Sequence, residues 1–383
     1  MRLLCDISAL AVMALAAAFL ILTLAGAAAM LRSRRRWSMI CGAQGFGADL
    51  ICEEGVSVLA AGFTDLGQVE RRLSADYGRF EVIVLVDSSA DEGVSELLSK
   101  YSMIEMNEAP LGELPCGRCQ ALYRSRQRRY RRLVVVDRRR TTLCDDFNCG
   151  VAVAAFERIV ALDRECELHP RALQQMIVES SLSESGRPSA VCALRSRVQS
   201  GGLRRLGQAV SMVAFGSGAR LLSPTFRCGD VVAIFDREEI IAAGGFRDES
   251  HPDAELLRRM ASLPGAGRQQ FLPRVVASGG MSEGCALSSR RTRLLANALR
   301  IALAAVVSML AAAAVRYDLY ILRVSAMALV AVYAATVSAA TVALAVARAV
   351  DTDGTNRVPM HVVVSYPFWA SWKLLSGKNF RRS

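Results

Sequence analysis

The sequence predicts a mixed α/β domain with a largely parallel sheet, carried between apolar helices. Two observations lead there. Short β-branched runs alternate with segments of helical period through the middle of the chain, as they do where parallel strands are joined by crossover helices. The longest apolar stretches, which lift the mean hydropathy to +0.27, sit at the two ends instead. With 383 residues the chain has room for about two domains of roughly 150 residues. Its apolar share of 52% and charged share of 22% exclude a disordered tail, a collagen and a small disulfide scaffold.

The first element is an apolar helix. Ile7–Leu31 carries no charge over 25 residues, about 37 Å as a helix at 1.5 Å per residue, against a hydrocarbon core of roughly 30 Å. A cleaved signal peptide is the rival, but its apolar region is usually about 7–15 residues long. The basic run Arg32–Arg36 follows and resists translocation. Residues 1–36 therefore read as an uncleaved anchor with the next domain in the cytoplasm. Then come Val56–Ala61 as a strand and Asp65–Ala75 as a helix with Leu66, Val69 and Leu73 on one face. Glu81–Val86 reads as a strand and Val94–Lys100 as a helix, and Leu133–Val136 and Ile159–Leu162 as further strands. Asp87, Asp137 and Asp163 stand at strand ends, where ligands collect in parallel sheets. Leu294–Val315 and Val324–Ala347 predict a second and a third membrane helix, with Arg300 near enough to one end to snorkel. Tyr366–Leu375 interleaves aromatic residues with a cation, as an interfacial segment does. The expected division is an anchor at 1–36, a cytoplasmic domain at 50–290, a helical hairpin at 294–349 and an interfacial tail at 350–383.

The formal charge is +11, and only three of the 47 basic residues are lysines (Lys100, Lys373, Lys378). Arginine suits phosphate recognition, and a GC-rich genome gives the same skew. No nucleic-acid module accompanies the arginine runs, so nucleic acid is not an expected partner. Eleven cysteines include the pair Cys116 and Cys119, followed by Cys144 and Cys149. A structural zinc site wants a second tight pair, so free thiols in a reducing compartment are the simpler reading. No GxxxxGK[ST] phosphate loop and no GxSxG elbow occurs, and both NTPase and hydrolase readings lose support.

Four stretches in order carry a resemblance. They are VIVLVDSSADEG with Asp87, Ser89 and Asp91; DDFNCGVAVAAFERIVALDRE with Asn148, Gly150 and Asp163-Arg164-Glu165; DVVAIFDREEIIAAGGF ending in Gly244-Gly245-Phe246; and HPDAELLRRM with Asp253. Across residues 55–300 the chain resembles the family 2 glycosyltransferases of GT-A fold, notably the membrane-embedded synthases of cellulose, poly-N-acetylglucosamine and hyaluronan. The resemblance implies a nucleotide-diphospho-sugar transferase fold with about three transmembrane helices, in the bacterial inner membrane. It implies that Asp87, Ser89, Asp91, Asn148 and Asp163 bind the donor, with Arg291 and Arg293 near the diphosphate. Asp163 and Glu165 would hold Mg²⁺ or Mn²⁺, since two residues apart on an extended segment they project to one side. Asp253 would be the general base toward the acceptor hydroxyl. The implied partners are a nucleotide-sugar donor, a polysaccharide or lipid-linked acceptor, membrane lipids and other subunits of an export complex.

The chain departs from that pattern in several places. Leu143 stands where a lysine is usual, Pro252 where a glutamate precedes the base, and Arg290-Arg291-Thr292-Arg293-Leu294 where the membrane-proximal Gln-x-x-Arg-Trp is expected. A non-catalytic scaffold or partner subunit of an exopolysaccharide complex is therefore the second reading. Bland readings also stand beside the sites: acidic residues form turns after strands, and Asp253 falls in a helix's first turn, where the dipole favours an acid.

Overall fold

The computed structural model describes residues 2–42, 54–63, 65–106, 114, 119–139, 142–182, 187–196, 202–218, 231–247, 252–263, 268–279, 319–350 and 358–376. The chain divides into two compact units. One comprises Arg36–Val198 and Asp230–Ser282, the other Met1–Arg35, Gln199–Gly229 and Glu283–Ser383.

The first unit is a mixed α/β domain. Its strands are β1 (Val56–Ala61), β2 (Phe80–Val86), β3 (Met103–Met106), β4 (Cys119–Ser125), β5 (Leu133–Arg138), β6 (Arg158–Leu162), β7 (Glu167–Leu168), β8 (Ala190–Ser196), β9 (Val231–Asp236) and β10 (Gln269–Ser278). They form one sheet in the order β3-β4-β5-β2-β1-β6-β9-β8-β10-β7. The run β5-β2-β1-β6 is parallel throughout, and β9 lies antiparallel to both β6 and β8. β1, β2, β5 and β6 are buried along their whole length, which is why they read as continuous apolar runs and not as alternations.

Two apolar layers cover the faces. Helix α2 (Leu66–Leu73), capped by Asp65, packs Val69 on one face beside Val58 and Val84. Helix α3 (Val94–Lys100) adds Leu97 to that layer. On the other face helix α4 (Leu143–Val153) lays Phe147, Cys149 and Val151 against Leu59 and Ile83. A Cβ at Gly150 would stand 2.9 Å from Leu59 Cδ2, so the glycine permits the close approach of α4 to β1. Thr142 caps α4, so Asn148 and Gly150 lie within this helix and not at its start. Helix α5 (Ala172–Ser181) completes the first face.

α1 (Arg2–Gly42) is longer than the expected anchor and belongs to the second unit as far as Arg35; in that unit α6 (Gly202–Ser211) leads into a π-helical turn at Met212–Gly218. Back in the first unit, two short helices, α7 (Arg237–Ala242) and α8 (Pro252–Met260), follow β9. The second unit is completed by α9 (Leu319–Val350) and α10 (Met360–Ser376). Gly207 of α6 lies so close to α10 that a Cβ there would stand 3.1 Å from the Trp369 ring. The segment Gln199–Gly229 thus belongs with the apolar helices, and it interrupts the contiguous 50–290 domain expected from the sequence. An amphipathic decapeptide such as α6 carries the same pattern whichever core receives it. Among the described residues two helices, over Asp6–Ile40 and Leu319–Ala349, are long and apolar enough to cross a membrane. The remaining expected span, Leu294–Val315, lies outside the described residues.

Candidate active site

The strand order reverses at β1: the chain runs outward through β2 to β5, then returns to place β6 on the opposite side. Open α/β sheets form a crevice at such a switch point, beyond the carboxyl ends of the strands. The turns after β2 and β6 both lie at this edge.

The turn after β2 is tightly self-bonded. Asp87 Oδ1 accepts from the Ser89 amide at 3.0 Å and from the Ser89 hydroxyl, while Asp91 Oδ2 accepts from the Asp87 amide at 3.1 Å. Asp91 Oδ1 takes a 2.6 Å ion pair from Arg164, the middle residue of the turn after β6. One contact therefore ties the two expected donor-binding segments together. Asp137, inside β5, accepts from the Ser88 amide at 2.9 Å and braces the same turn.

The turn after β6 is held from below by α2. Gln68 donates to the Arg164 carbonyl, and Arg72 Nη2 reaches the carbonyls of Asp163, Arg164 and Cys166 at 3.2, 3.4 and 3.5 Å. Gly279, at φ +81°, sits so close to the Glu165 carbonyl that a Cβ there would collide with it. Glu165 itself turns its side chain to the surface.

Asp253 occupies the place where two strands part. β6 and β9 pair only as far as Val160 and Ile234, and the amide of the next β9 residue, Ala233, donates to Asp253 Oδ2 at 3.1 Å. The other oxygen, Oδ1, is buried with no hydrogen-bond partner among the described residues, as are Asp163 Oδ1 and Arg195 Nε. Arg195, near the end of β8, donates to Asp163 Oδ2 at 2.9 Å, and both side chains are 10% exposed. Burial pushes the Asp253 carboxyl up to about 7; the nearby Asp163 charge adds to this, while Arg195 and the Ala233 amide oppose it. Burial also pushes the Cys166 thiol beneath them up to about 12, with Asp163 reinforcing it. A buried carboxyl titrating near neutrality is suited to take a proton.

Asn148 does something the sequence did not indicate. Its Oδ1 accepts from the Phe246 amide at 2.8 Å and its Nδ2 donates to the Phe246 carbonyl at 3.2 Å. It thereby pins the Gly244-Gly245-Phe246 turn, whose glycines both have positive φ. Arg291 and Arg293 lie outside the described residues, as does Cys116. Cys119 in β4 shares a hydrogen bond with Cys149 of α4, which lowers the pKa of the Cys119 thiol, and Cys144 is buried in the same helix. In the arginine run after β4, Arg126, Arg128, Arg129, Arg131 and Arg132 are exposed, a solvated face.

The expected metal pair does not assemble. Asp163 gives one oxygen to Arg195 and Glu165 faces solvent. Among the described residues no group of three His, Cys, Asp or Glu side chains converges as a metal cage. With Asp163 Oδ2 held by Arg195 and Glu165 exposed, the two carboxylates do not form a ready pair of ligands. Arg195, Arg164, Arg72 and Gln68 were not legible as site residues, because in a chain so rich in arginine nothing in the sequence separates these from the rest.

No family model matches the chain, and no curated protein sequence does. Among solved structures it is similar to the mannosyltransferase PcManGT from Pyrobaculum calidifontis in complex with GDP-Man and Mn²⁺, at 19% identity over 95% of this chain and 98% of that one, with a TM-score of 0.39. It is also similar to S. aureus TarS 1–349 in complex with UDP-GlcNAc, at 12% identity over 85% and 93% of the two chains, with a TM-score of 0.37. A third is glucosyl-3-phosphoglycerate synthase from Mycobacterium tuberculosis with Mn²⁺, UDP and glucosyl-3-phosphoglycerate, at 14% identity over 67% and 84%, with a TM-score of 0.37. At such TM-scores these likenesses decide neither fold nor chemistry, which rest on the residues above.

Proposed function

We propose that the chain transfers a sugar from a nucleotide-sugar donor, UDP-linked, to a polysaccharide or lipid-linked acceptor at the cytoplasmic face of the inner membrane, with inversion at the anomeric carbon. The observation that carries this reading is Asp253: a buried carboxyl with one oxygen fixed, the other without a partner among the described residues, and a pKa raised to about 7, beside β9 at the edge where the parallel strands end. In the proposed step, Asp253 takes the proton of the acceptor hydroxyl as its oxygen bonds to the anomeric carbon. The bond from that carbon to the diphosphate breaks on the opposite face, and the nucleoside diphosphate leaves with the electron pair. The Asp87–Asp91 turn would receive the nucleotide base or ribose, and Arg291 and Arg293 the diphosphate. Two helices of sufficient length and apolarity support the membrane placement. The test is release of UDP from UDP-sugars by the full chain in detergent. Activity indifferent to both Asp253→Asn and Asp163→Asn would refute the assignment.

A second reading has its own observation. Asp163 is paired with Arg195 and Asp91 with Arg164, so two of the expected donor-binding carboxylates are already neutralised. This favours a catalytically impaired scaffold or partner subunit of an exopolysaccharide complex. A wild-type chain that binds no UDP, with or without Mn²⁺, would select it.

A further inference from the structure

The carboxylates after β6 and in α8 already have a cation between them, and it is a side chain. Arg195 lies 2.9 Å from Asp163 Oδ2, and its charge also acts on Asp253. Its own carboxylate and thiol neighbours, Asp163, Asp253 and Cys166, outweigh the effect of burial and hold its pKa above the ordinary arginine value. A divalent ion on Asp163 would have to bind at roughly 2.0–2.6 Å, beside a buried guanidinium that cannot lose its proton. Like charges at that spacing repel strongly where water is excluded. Glu165, the other expected ligand, faces solvent.

We propose that Arg195 stands in for the divalent cation at Asp163, so that a nucleoside diphosphate binds this cleft without metal. The nucleotide half rests on the sugar-transfer reading, whereas the exclusion of metal rests on the Asp163–Arg195 geometry alone. Arg195 acts as a positioning and charge-neutralising residue. It keeps Asp163 from repelling an incoming diphosphate, and a hydrogen bond with Cys166 holds the guanidinium beneath the cleft.

The test uses the full chain in detergent, with Mn²⁺ followed by electron paramagnetic resonance and UDP titrated by calorimetry in Mn²⁺ or in EDTA. The wild type should leave the free Mn²⁺ signal unchanged and bind UDP within about two-fold equally in both buffers. Arg195→Gln should gain a bound Mn²⁺ that the double variant with Asp163→Asn loses, and Arg195→Lys, which keeps the charge, should gain none. Mn²⁺ binding by the wild type that Asp163→Asn or Glu165→Gln abolishes overturns the proposal. So does UDP binding at least ten-fold weaker in EDTA, or a folded Arg195→Gln that takes up no Mn²⁺. Should Arg195→Gln fail to give a cooperative thermal melt, the wild-type and Arg195→Lys arms decide. If the wild type binds no UDP in either buffer, the sugar-transfer reading falls, while the Mn²⁺ contrast still decides the role of Arg195.

Discussion

The side-chain amide of Asn148 and the backbone of Phe246, 98 residues apart in the chain, exchange two hydrogen bonds in a closed ring. This contact fastens the glycine turn after α7 to α4. A Cβ at Gly245 would fall 2.5 Å from Asn148 Oδ1, at a φ of +74°. Asn148→Ala leaves both Phe246 backbone groups unpaired and should cost about 2–4 kcal/mol. Gly245→Ala should cost at least about 1–2 kcal/mol for the left-handed backbone alone. Chemical denaturation of the two variants checks both values. An Asn148→Ala chain as stable as the wild type would remove the pinning role.

Asp253→Asn keeps the shape and removes the base. UDP release should fall by about 10²–10⁴-fold in kcat. UDP affinity, read by calorimetry, should change by less than about three-fold, since the base faces the acceptor. A loss confined to affinity would assign Asp253 to donor binding instead.

The raised pKa of Asp253 gives the wild type a pH signature in both rate and stability. Turnover should rise with pH through a midpoint near 7, as the base loses its proton. Stability runs the other way. Between the ordinary value of 3.8 and about 7, the folded chain holds a proton that the unfolded chain has released. Stability therefore falls as pH rises through that window and levels off above it. Thermal melts from pH 4 to 9 should show this slope in the wild type and a smaller one in Asp253→Asn.

Arg164 is 44% exposed, so its ion pair with Asp91 contributes little to folding, about 0–1 kcal/mol. Its effect should lie in placement, because it is the tie between the turns after β2 and β6. Arg164→Met should leave the melting temperature within about 2–4 °C of the wild type. UDP affinity should drop by roughly ten-fold, equivalent to about 1.4 kcal/mol. Equal affinity in the two proteins would show that the turns hold their positions without the tie.

Several parts of this molecule were legible from residue order alone. β1, β2, β5 and β6 appeared as apolar runs because a strand buried on both faces has no solvent face to alternate with. The helix starting at Leu66 appeared through its period, the one starting at Pro252 through its acidic first turn, and α1 and α9 through sheer apolar length. Asp163 could be named from its place after a strand, and Asp253 from the resemblance of its segment to the family 2 glycosyltransferases. What each of them touches is not local. Asp253 meets the amide of Ala233 because β6 and β9 diverge at that level, and Asp163 meets Arg195 because β8 enters the sheet beyond an antiparallel neighbour. The assignment of α6 to the apolar helical unit was likewise beyond the sequence, since an amphipathic pattern states that one face is buried and not against what. Local spacing determined the strands, the caps and the acidic positions. Long-range packing decided which charges became partners, because residues far apart in the chain meet only when the strands that carry them are neighbours in the sheet.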